Sequence, residues 1–254
     1  MTRTFIAQDV AERYDAARAL PRESIDLWIS ALKSYLPGNP LRMILDLGCG
    51  TGRFSEALAQ GFGCRVIALD PSPAMVAGAC GKEGVRPLCA SAEGLPIRTG
   101  SVDLVWMSQV FHNLDRPRTA LAEIRRTLVD GGVLALRNAS RETDREALWL
   151  DFFPEAVAMN VNKIPSRSSI LDLITAAGFT LTATQKVYQL FARSHEEYCD
   201  KIGRRGLSPL IAISDGAFEA GMDRLRRWTA TQPSNIPVWE PLDLFVFRST
   251  EGSR

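Results

Sequence analysis

Asp46, Gly48, Gly50 and Gly52 stand at alternate positions in the run Ile44-Leu45-Asp46-Leu47-Gly48-Cys49-Gly50-Thr51-Gly52-Arg53-Phe54-Ser55. The apolar residues before them suit a buried strand, and those after suit the start of a helix. Glycine takes dihedrals that a Cβ forbids and lets the backbone come close to a ligand. A strand, turn and helix of this kind hold a nucleotide-like molecule at the carboxyl end of a parallel sheet. The spacing separates two ligand types. A dinucleotide turn reads Gly-x-Gly-x-x-Gly, with the pyrophosphate on the helix N-terminus. Here the third glycine comes one residue early and an acid precedes the first. A carboxylate repels a pyrophosphate but suits a cationic amino group. The turn therefore points to a ligand with an ammonium and a nucleoside and no phosphate.

Asp70 is the second chemical signal. It follows Val66-Ile67-Ala68-Leu69 and precedes Pro71-Ser72-Pro73. An acid at that strand end can accept hydrogen bonds from both hydroxyls of a ribose. It could also simply cap the Ser72 turn. His112 lies just past the apolar run Val102 to Met107, on the same expected edge as the glycine turn. Its ordinary pKa suits proton uptake near neutrality, so it is the candidate base, or else a residue that shapes the pocket or caps a helix. The cysteines Cys49, Cys64, Cys80, Cys89 and Cys199 form no Cys-x-x-Cys pair, and His195 is the second of two histidines. No metal site is expected from that spacing.

The elements that must position these groups alternate. Strands are expected at Met43–Leu47, Val66–Leu69, Arg86–Ala90, Val102–Met107 and Val133–Arg137. Helices are expected at Phe54–Gln60, Pro73–Cys80 and Pro117–Leu128, the last stopped by Asp130-Gly131-Gly132. Such alternation predicts a parallel sheet with helices on both faces. Two helical runs precede it, the second from Ile25 to Leu36. A helix from Ser166 to Ala177 follows, closed by Gly178. Thr180–Phe191 and Leu242–Arg248 alternate as strands. About fifty residues separate that last pair, far more than a hairpin needs. The intervening segment has helical periodicity at Phe218, Met222 and Leu225. The expected organisation is a helical cap at 1–40, a Rossmann-like domain at 41–190 and 240–250, and a helical insertion at 191–239. That insertion is either a substrate lid or an inert elaboration.

The chain at this point resembles the class I S-adenosylmethionine-dependent methyltransferases, and within them the methyltransferase type 11 family, close to the ubiquinone and menaquinone enzymes. The resemblance rests on the glycine turn and on Ala90-Ser91-Ala92-Glu93-Gly94-Leu95-Pro96-Ile97, which is similar to the family's Gly-Asp-Ala-Glu-x-Leu-Pro-Phe loop. It rests also on Ser108-Gln109-Val110-Phe111-His112-Asn113-Leu114, on Leu128-Val129-Asp130-Gly131-Gly132 and on Tyr14-Asp15-x-x-Arg18. It covers residues 10–138 well and 166–179 loosely. It implies a seven-stranded α/β Rossmann-like doubly wound sheet whose last strand is antiparallel. It implies S-adenosyl-L-methionine as cofactor, with Asp46, Gly48, Gly50 and Gly52 at its methionine end and Asp70, Pro71 and Ser72 at its ribose. Met75, Ser91, Ala92 and Glu93 fall at the adenine, where Ser91 replaces the family's Asp and Met75 is as easily a core residue. Tyr14 and Arg18 close over the methionine end, Ser108 and Gln109 are further cofactor-binding residues, and Tyr14 is a second catalytic candidate beside His112.

Lys and Arg number 30 against 29 Asp and Glu. That balance gives no push toward nucleic acid, and no apolar run is long enough to cross a bilayer. Met1 to Asp9 lacks an apolar signal region, so the expectation is a cytoplasmic protein. The expected partner is a small-molecule methyl acceptor attacking through O, N or C. Aromatic and apolar residues in the N-terminal helices, in Trp149–Asn160 and around Tyr198 and Leu207–Ile213 suit a flat or greasy one. An RNA or protein acceptor, a silent cofactor-binding protein and a nicotinamide dehydrogenase are the competing readings. No Asn-Pro-Pro-Tyr-like motif follows the fourth strand. Fold analogy supplies no substrate.

Overall fold

The computed structural model describes residues 18–36, 38, 40–160 and 163–250. Tyr14 and the first expected helix lie outside them. Helix α1 (Arg22–Lys33) leads into β1 (Met43–Leu47), α2 (Ser55–Phe62), β2 (Arg65–Asp70), α3 (Pro73–Ala79) and β3 (Val85–Cys89). Strand β4 (Val102–Ser108), α4 (Pro117–Thr127) and β5 (Leu128–Asn138) complete the regular half. Short helices α5 (Arg141–Asp144) and α6 (Pro154–Asn160) precede α7 (Arg167–Ala176) and β6 (Phe179–Ala192). Helices α8 (His195–Gly203), α9 (Ser208–Ala212) and α10 (Asp215–Thr229) lie between β6 and β7 (Val238–Ser249).

The sheet has seven strands in the order β3-β2-β1-β4-β5-β7-β6. Strands β1 to β5 are parallel, and β7 runs antiparallel between β5 and β6. Both faces of the central strands are apolar, as a sheet covered on two sides requires. Ile44, Leu104, Trp106, Val133, Ala135, Leu244 and Val246 pack with α1 and α2 residues such as Trp28, Leu32 and Leu58. Leu45, Val105, Met107, Leu134, Leu136, Phe245 and Phe247 pack on the other face with Leu121, Ile124, Ile170 and Ile174. Leu121, Ile124 and Leu128 do share a buried face, as their spacing predicts. Serine hydroxyls start the helices: Ser72 caps α3, Ser166 caps α7, Ser194 caps α8 and Ser214 caps α10.

Asp130-Gly131-Gly132 does not separate helix from strand. The strand begins at Leu128, directly after α4, and runs through the glycines. Val102 pairs with Leu128 and Leu104 with Val133, so β5 carries three more residues than β4 across that step. Gly131 absorbs the bulge with φ +69°.

The pairing of β6 with β7 positions the insertion. Asn138, the last residue of β5, lies opposite Asp243, while β7 stays paired with β6 as far as Val238 opposite Ala192. The two strands thus project beyond the carboxyl edge of the parallel sheet as a ribbon, and the inserted helices hang from its tip. They have their own core: Tyr198, Ile202, Leu210, Phe218, Met222 and Leu225 pack against Trp149, Phe152, Phe153 and Ala156. Two of the three segments expected to meet an acceptor therefore form one unit on the edge that carries the glycine turn. No helix among the described residues is long and apolar enough to cross a membrane.

Candidate functional site

The turn after β1 is tied down by the end of β2. The Gly48 and Cys49 amides donate to the Leu69 carbonyl at 2.7 and 3.0 Å, and Gly52 donates to the Cys49 carbonyl at 3.0 Å. All three glycines have positive φ, at +72°, +56° and +75°. Their surroundings differ. A Cβ on Gly48 would lie 2.4 Å from Val110, and one on Gly52 would lie 2.9 Å from Ala79. Those two positions are small because the protein packs against them. A Cβ on Gly50 would meet nothing within 4 Å. Room for a ligand is therefore found at the middle glycine.

Two carboxylates flank this room. Asp46 is 1% exposed and accepts a 2.6 Å hydrogen bond from the Ser55 hydroxyl. Burial pushes its pKa up to about 7, against the pull of Ser55 and with help from the Asp70 charge. Asp70 accepts from the Gly50 amide at 3.0 Å and from the Ser72 amide at 2.9 Å. Burial raises its carboxyl, and the two amides hold it back. Each carboxylate oxygen has a second lone pair. Asp70 can thus brace the turn and still accept hydrogen bonds from a ligand, so its two expected roles are compatible. The Ser72 hydroxyl accepts from Met75 N at 3.4 Å, and the Met75 side chain is buried. Pro71 is exposed between them.

The loop after β3 forms a compact turn. The Ser91 hydroxyl donates to the Glu93 carboxylate, which also accepts from the Arg116 amide at 3.4 Å. Ala92 is buried beneath it. Gln109, at the end of β4, has φ +59° and joins two strands: its amide donates to the Arg137 carbonyl at 2.7 Å, and its side-chain oxygen accepts from Ala139 N at 2.8 Å. His112 sits half-buried in a single 3₁₀ turn, Phe111–Asn113. Asn113 Nδ2 donates to the Gln109 carbonyl at 3.2 Å and lies 3.1 Å from His112 Nε2. An amide nitrogen only donates, so His112 Nε2 accepts there, and its lone pair is engaged. Arg18 Nε donates to the Gly206 carbonyl of the insertion at 3.2 Å.

A polar network that sequence reasoning missed runs outward from Ser108. Arg137 is 5% exposed, donates to Ser108 Oγ at 2.9 Å and to Gln189 Oε1 at 2.5 Å, and lies over the rings of Trp28 and Phe54. Gln189 Oε1 also accepts from Trp28 Nε1 at 2.9 Å. Glu240 lies directly opposite Gln189 on β7 and is half-buried. A charged residue ending the apolar run Val133-Leu134-Ala135-Leu136 was the available signal, and its depth in the fold gives it meaning.

A methyltransferase-domain family model matches residues 45–136, which span the glycine turn, Asp70, the Ser91 loop and His112. An uncharacterized methyltransferase of Mycobacterium bovis is 30% identical over 224 residues, 87% of this chain and 84% of that protein. A malonyl-[acyl-carrier protein] O-methyltransferase of Methylococcus capsulatus is 33% identical over 172 residues, 66% of this chain and 62% of that protein. The chain spans 62%, 51% and 49% of three relatives with that description. Among solved structures, a Haemonchus contortus phosphoethanolamine N-methyltransferase in complex with S-adenosylhomocysteine superposes with a TM-score of 0.64 at 17% identity. That likeness covers 98% of this chain and 58% of that one.

Proposed function

Because the chain belongs to the class I S-adenosylmethionine-dependent methyltransferases, we propose that it transfers a methyl group to an O, N or C nucleophile of a small molecule. The cofactor of the family is S-adenosyl-L-methionine, which when bound supplies a methyl carrying its own leaving group. The open space over Gly50, beside Asp70, is the observation that carries the reading. Asp46 and the amides of Gly48, Gly50 and Gly52 would hold the amino-acid end, and Asp70, Pro71 and Ser72 the ribose. Met75, Ser91, Ala92 and Glu93 would line the adenine, Tyr14 and Arg18 would close over the methionine end, and Ser108 and Gln109 would also contact the cofactor. What remains for the protein is alignment of the acceptor and exclusion of water. His112 and Tyr14 would be the candidate catalytic groups, with a base needed only for an acceptor that must lose a proton. Residues 191–239 are read as the lid over that acceptor.

A second reading is favoured by the relatives described as malonyl-[acyl-carrier protein] O-methyltransferases: the acceptor is a carboxyl oxygen on a carrier protein. Two measurements test these readings. Calorimetry should show S-adenosylhomocysteine binding and nicotinamide dinucleotide failing to bind. Radiolabelled methyl transfer to free small acids and alcohols, set against an acylated carrier protein, then separates the acceptors. A site that took the dinucleotide instead would overturn the proposal.

A further inference from the structure

Three polar side chains reach the carboxyl edge of the sheet on one face. Ile44, Leu104, Trp106, Val133 and Ala135 pack toward α1 and α2, so alternation puts Asp46 of β1, Ser108 of β4 and Arg137 of β5 on that same face. Leu47 pairs with Met107, and Ser108 with Arg137. The next residue pair along β1 and β4 is thus Gly48, the first glycine of the turn, across from Ser108. Strand spacing sets the Asp46 and Ser108 backbones about 8 Å apart. From β1 to β5 the edge therefore presents a carboxylate, a hydroxyl and a cation. Asp46 accepts from Ser55 at 2.6 Å, and Arg137 lies 5.2 Å from the ring of Phe54, so the two charges bracket the start of α2. Arg137 is 5% exposed and donates to Ser108 Oγ at 2.9 Å. A hydroxyl has one hydrogen and two lone pairs, and a guanidinium only donates. Arg137 therefore occupies a lone pair of Ser108 and leaves its hydrogen to point elsewhere. That hydrogen meets no acceptor among the described residues. Donation from a cation also polarises the O–H bond and strengthens it as a donor. Ser108 is half-buried, so a ligand can meet the hydrogen from the open side.

We propose that Ser108, oriented by Arg137, takes the α-carboxylate of the cofactor while Asp46 takes its α-ammonium. The proposal rests on the methyltransferase reading and deepens it: the edge reads a zwitterion, and the order of charges sets which way the amino-acid end lies. Arg137 acts here as a positioning residue. It fixes the Ser108 hydroxyl as a donor and is itself held by Gln189, Trp28 and Phe54. The backbone beyond Ser108 is fixed as well, since Gln109 adopts φ +59° and is bonded to Arg137 and Ala139 of the neighbouring strand. The two charged groups of an α-amino acid share one carbon, so with a hydrogen bond each they span the gap between Asp46 and Ser108. The buried cation behind Ser108 favours an anion at its hydroxyl and disfavours the ammonium there. The ammonium is left to Asp46, on the side of Ser108 away from Arg137.

The test needs no knowledge of the methyl acceptor. S-adenosylhomocysteine carries both charged groups, and its decarboxylated analogue keeps the adenosine, the sulfur and the ammonium but lacks the carboxylate. Calorimetry, by displacement where binding is weak, should show wild type preferring S-adenosylhomocysteine at least about tenfold, the equivalent of one charge-assisted hydrogen bond. In Ser108→Ala that preference should shrink to within about threefold, through weaker binding of S-adenosylhomocysteine and unchanged binding of the analogue. Arg137→Gln should shrink it in the same way, because Ser108 loses the donor that orients it. A merely structural role would weaken both ligands alike and leave the preference intact. That pattern, the absence of a preference in wild type, its persistence in Ser108→Ala, or its loss in Arg18→Gln alone would each overturn the proposal. Failure of S-adenosylhomocysteine to bind wild type would instead remove the methyltransferase reading, so the two failures are told apart. Ser108→Ala leaves the buried guanidinium in place, and it decides the question by itself should Arg137→Gln not fold.

Discussion

The Gly50 amide donates a 3.0 Å hydrogen bond to Asp70 Oδ2, which joins the turn after β1 to the end of β2. One carboxylate thus holds the shape of the turn and faces the space that the turn leaves open. Asp70→Ala removes the bonds to Gly50 and Ser72 together with any bond to a ribose. S-adenosylhomocysteine affinity should fall at least about tenfold, because charge-assisted hydrogen bonds are lost. Stability should fall by about 1–3 kcal/mol as the two amides lose their acceptor. Calorimetry and urea unfolding read the two effects, and unchanged affinity would contradict the placement of the ribose.

Gly48 and Gly50 should part company on substitution. Gly48→Ala drives a methyl to 2.4 Å from Val110, so overpacking adds about 1–3 kcal/mol to the strain of a positive φ. Gly50→Ala carries the strain alone, on the order of 1 kcal/mol. Its methyl would enter the space expected to hold the cofactor. The first variant should therefore melt lower, while the second stays folded and loses S-adenosylhomocysteine binding. Normal binding by a folded Gly50→Ala protein would place the ligand elsewhere.

These contrasts show what a linear reading could reach. Strand β1, the glycine turn, Asp70 and the Ser72 cap are local patterns, and the fold keeps each at its expected place. That Gly48 is fixed by Val110, about sixty residues away, is not local, so ligand approach was assigned to all three glycines alike. Asp130-Gly131-Gly132 reads as a break, yet β4 pairing carries the strand through it because a bulge can absorb the extra residues. The Arg137, Gln189 and Glu240 network joins strands separated by some fifty residues each, and no spacing rule covers it. The ribbon direction that puts Glu240 beyond the sheet edge follows only from the register of β5 on β7.

Asp46 should make stability and cofactor affinity depend on pH in opposite directions. Its folded pKa, about 7, lies above the ordinary value of 3.8. Between those values the folded protein binds more protons than the unfolded one, so unfolding free energy falls as pH rises, by at most about 1.4 kcal/mol per unit. The stabilisation is fully present below the lower value and gone above the higher. Asp46→Asn keeps an oxygen for Ser55 and should flatten that slope in urea titrations. A cationic amino group favours the ionised carboxylate, so wild-type affinity for S-adenosylhomocysteine should weaken as pH drops below about 7. Stability of Asp46→Asn that still falls across this window would assign the slope to another group.

The insertion can be loosened without touching the cofactor. Phe153 is fully buried, stacks on Phe218 at 5.8 Å and lies 2.2 Å from where a Cβ on Gly221 would sit. It belongs to the third apolar cluster, whereas Gly50 and Asp70 are braced by β1 and β2. Phe153→Ala should cost about 3–5 kcal/mol, and Gly221→Ala about 1–3 kcal/mol by overpacking. Hydrogen exchange should rise in α8 and α10 while amides of β1 and β4 stay protected, since separate clusters open separately. S-adenosylhomocysteine affinity should stay within about threefold of wild type, a change worth less than 1 kcal/mol. Use of a methyl acceptor should fall further, because residues 191–239 are the segment proposed to cover it. The reverse pattern, cofactor lost and acceptor use retained, would remove the lid role from residues 191–239.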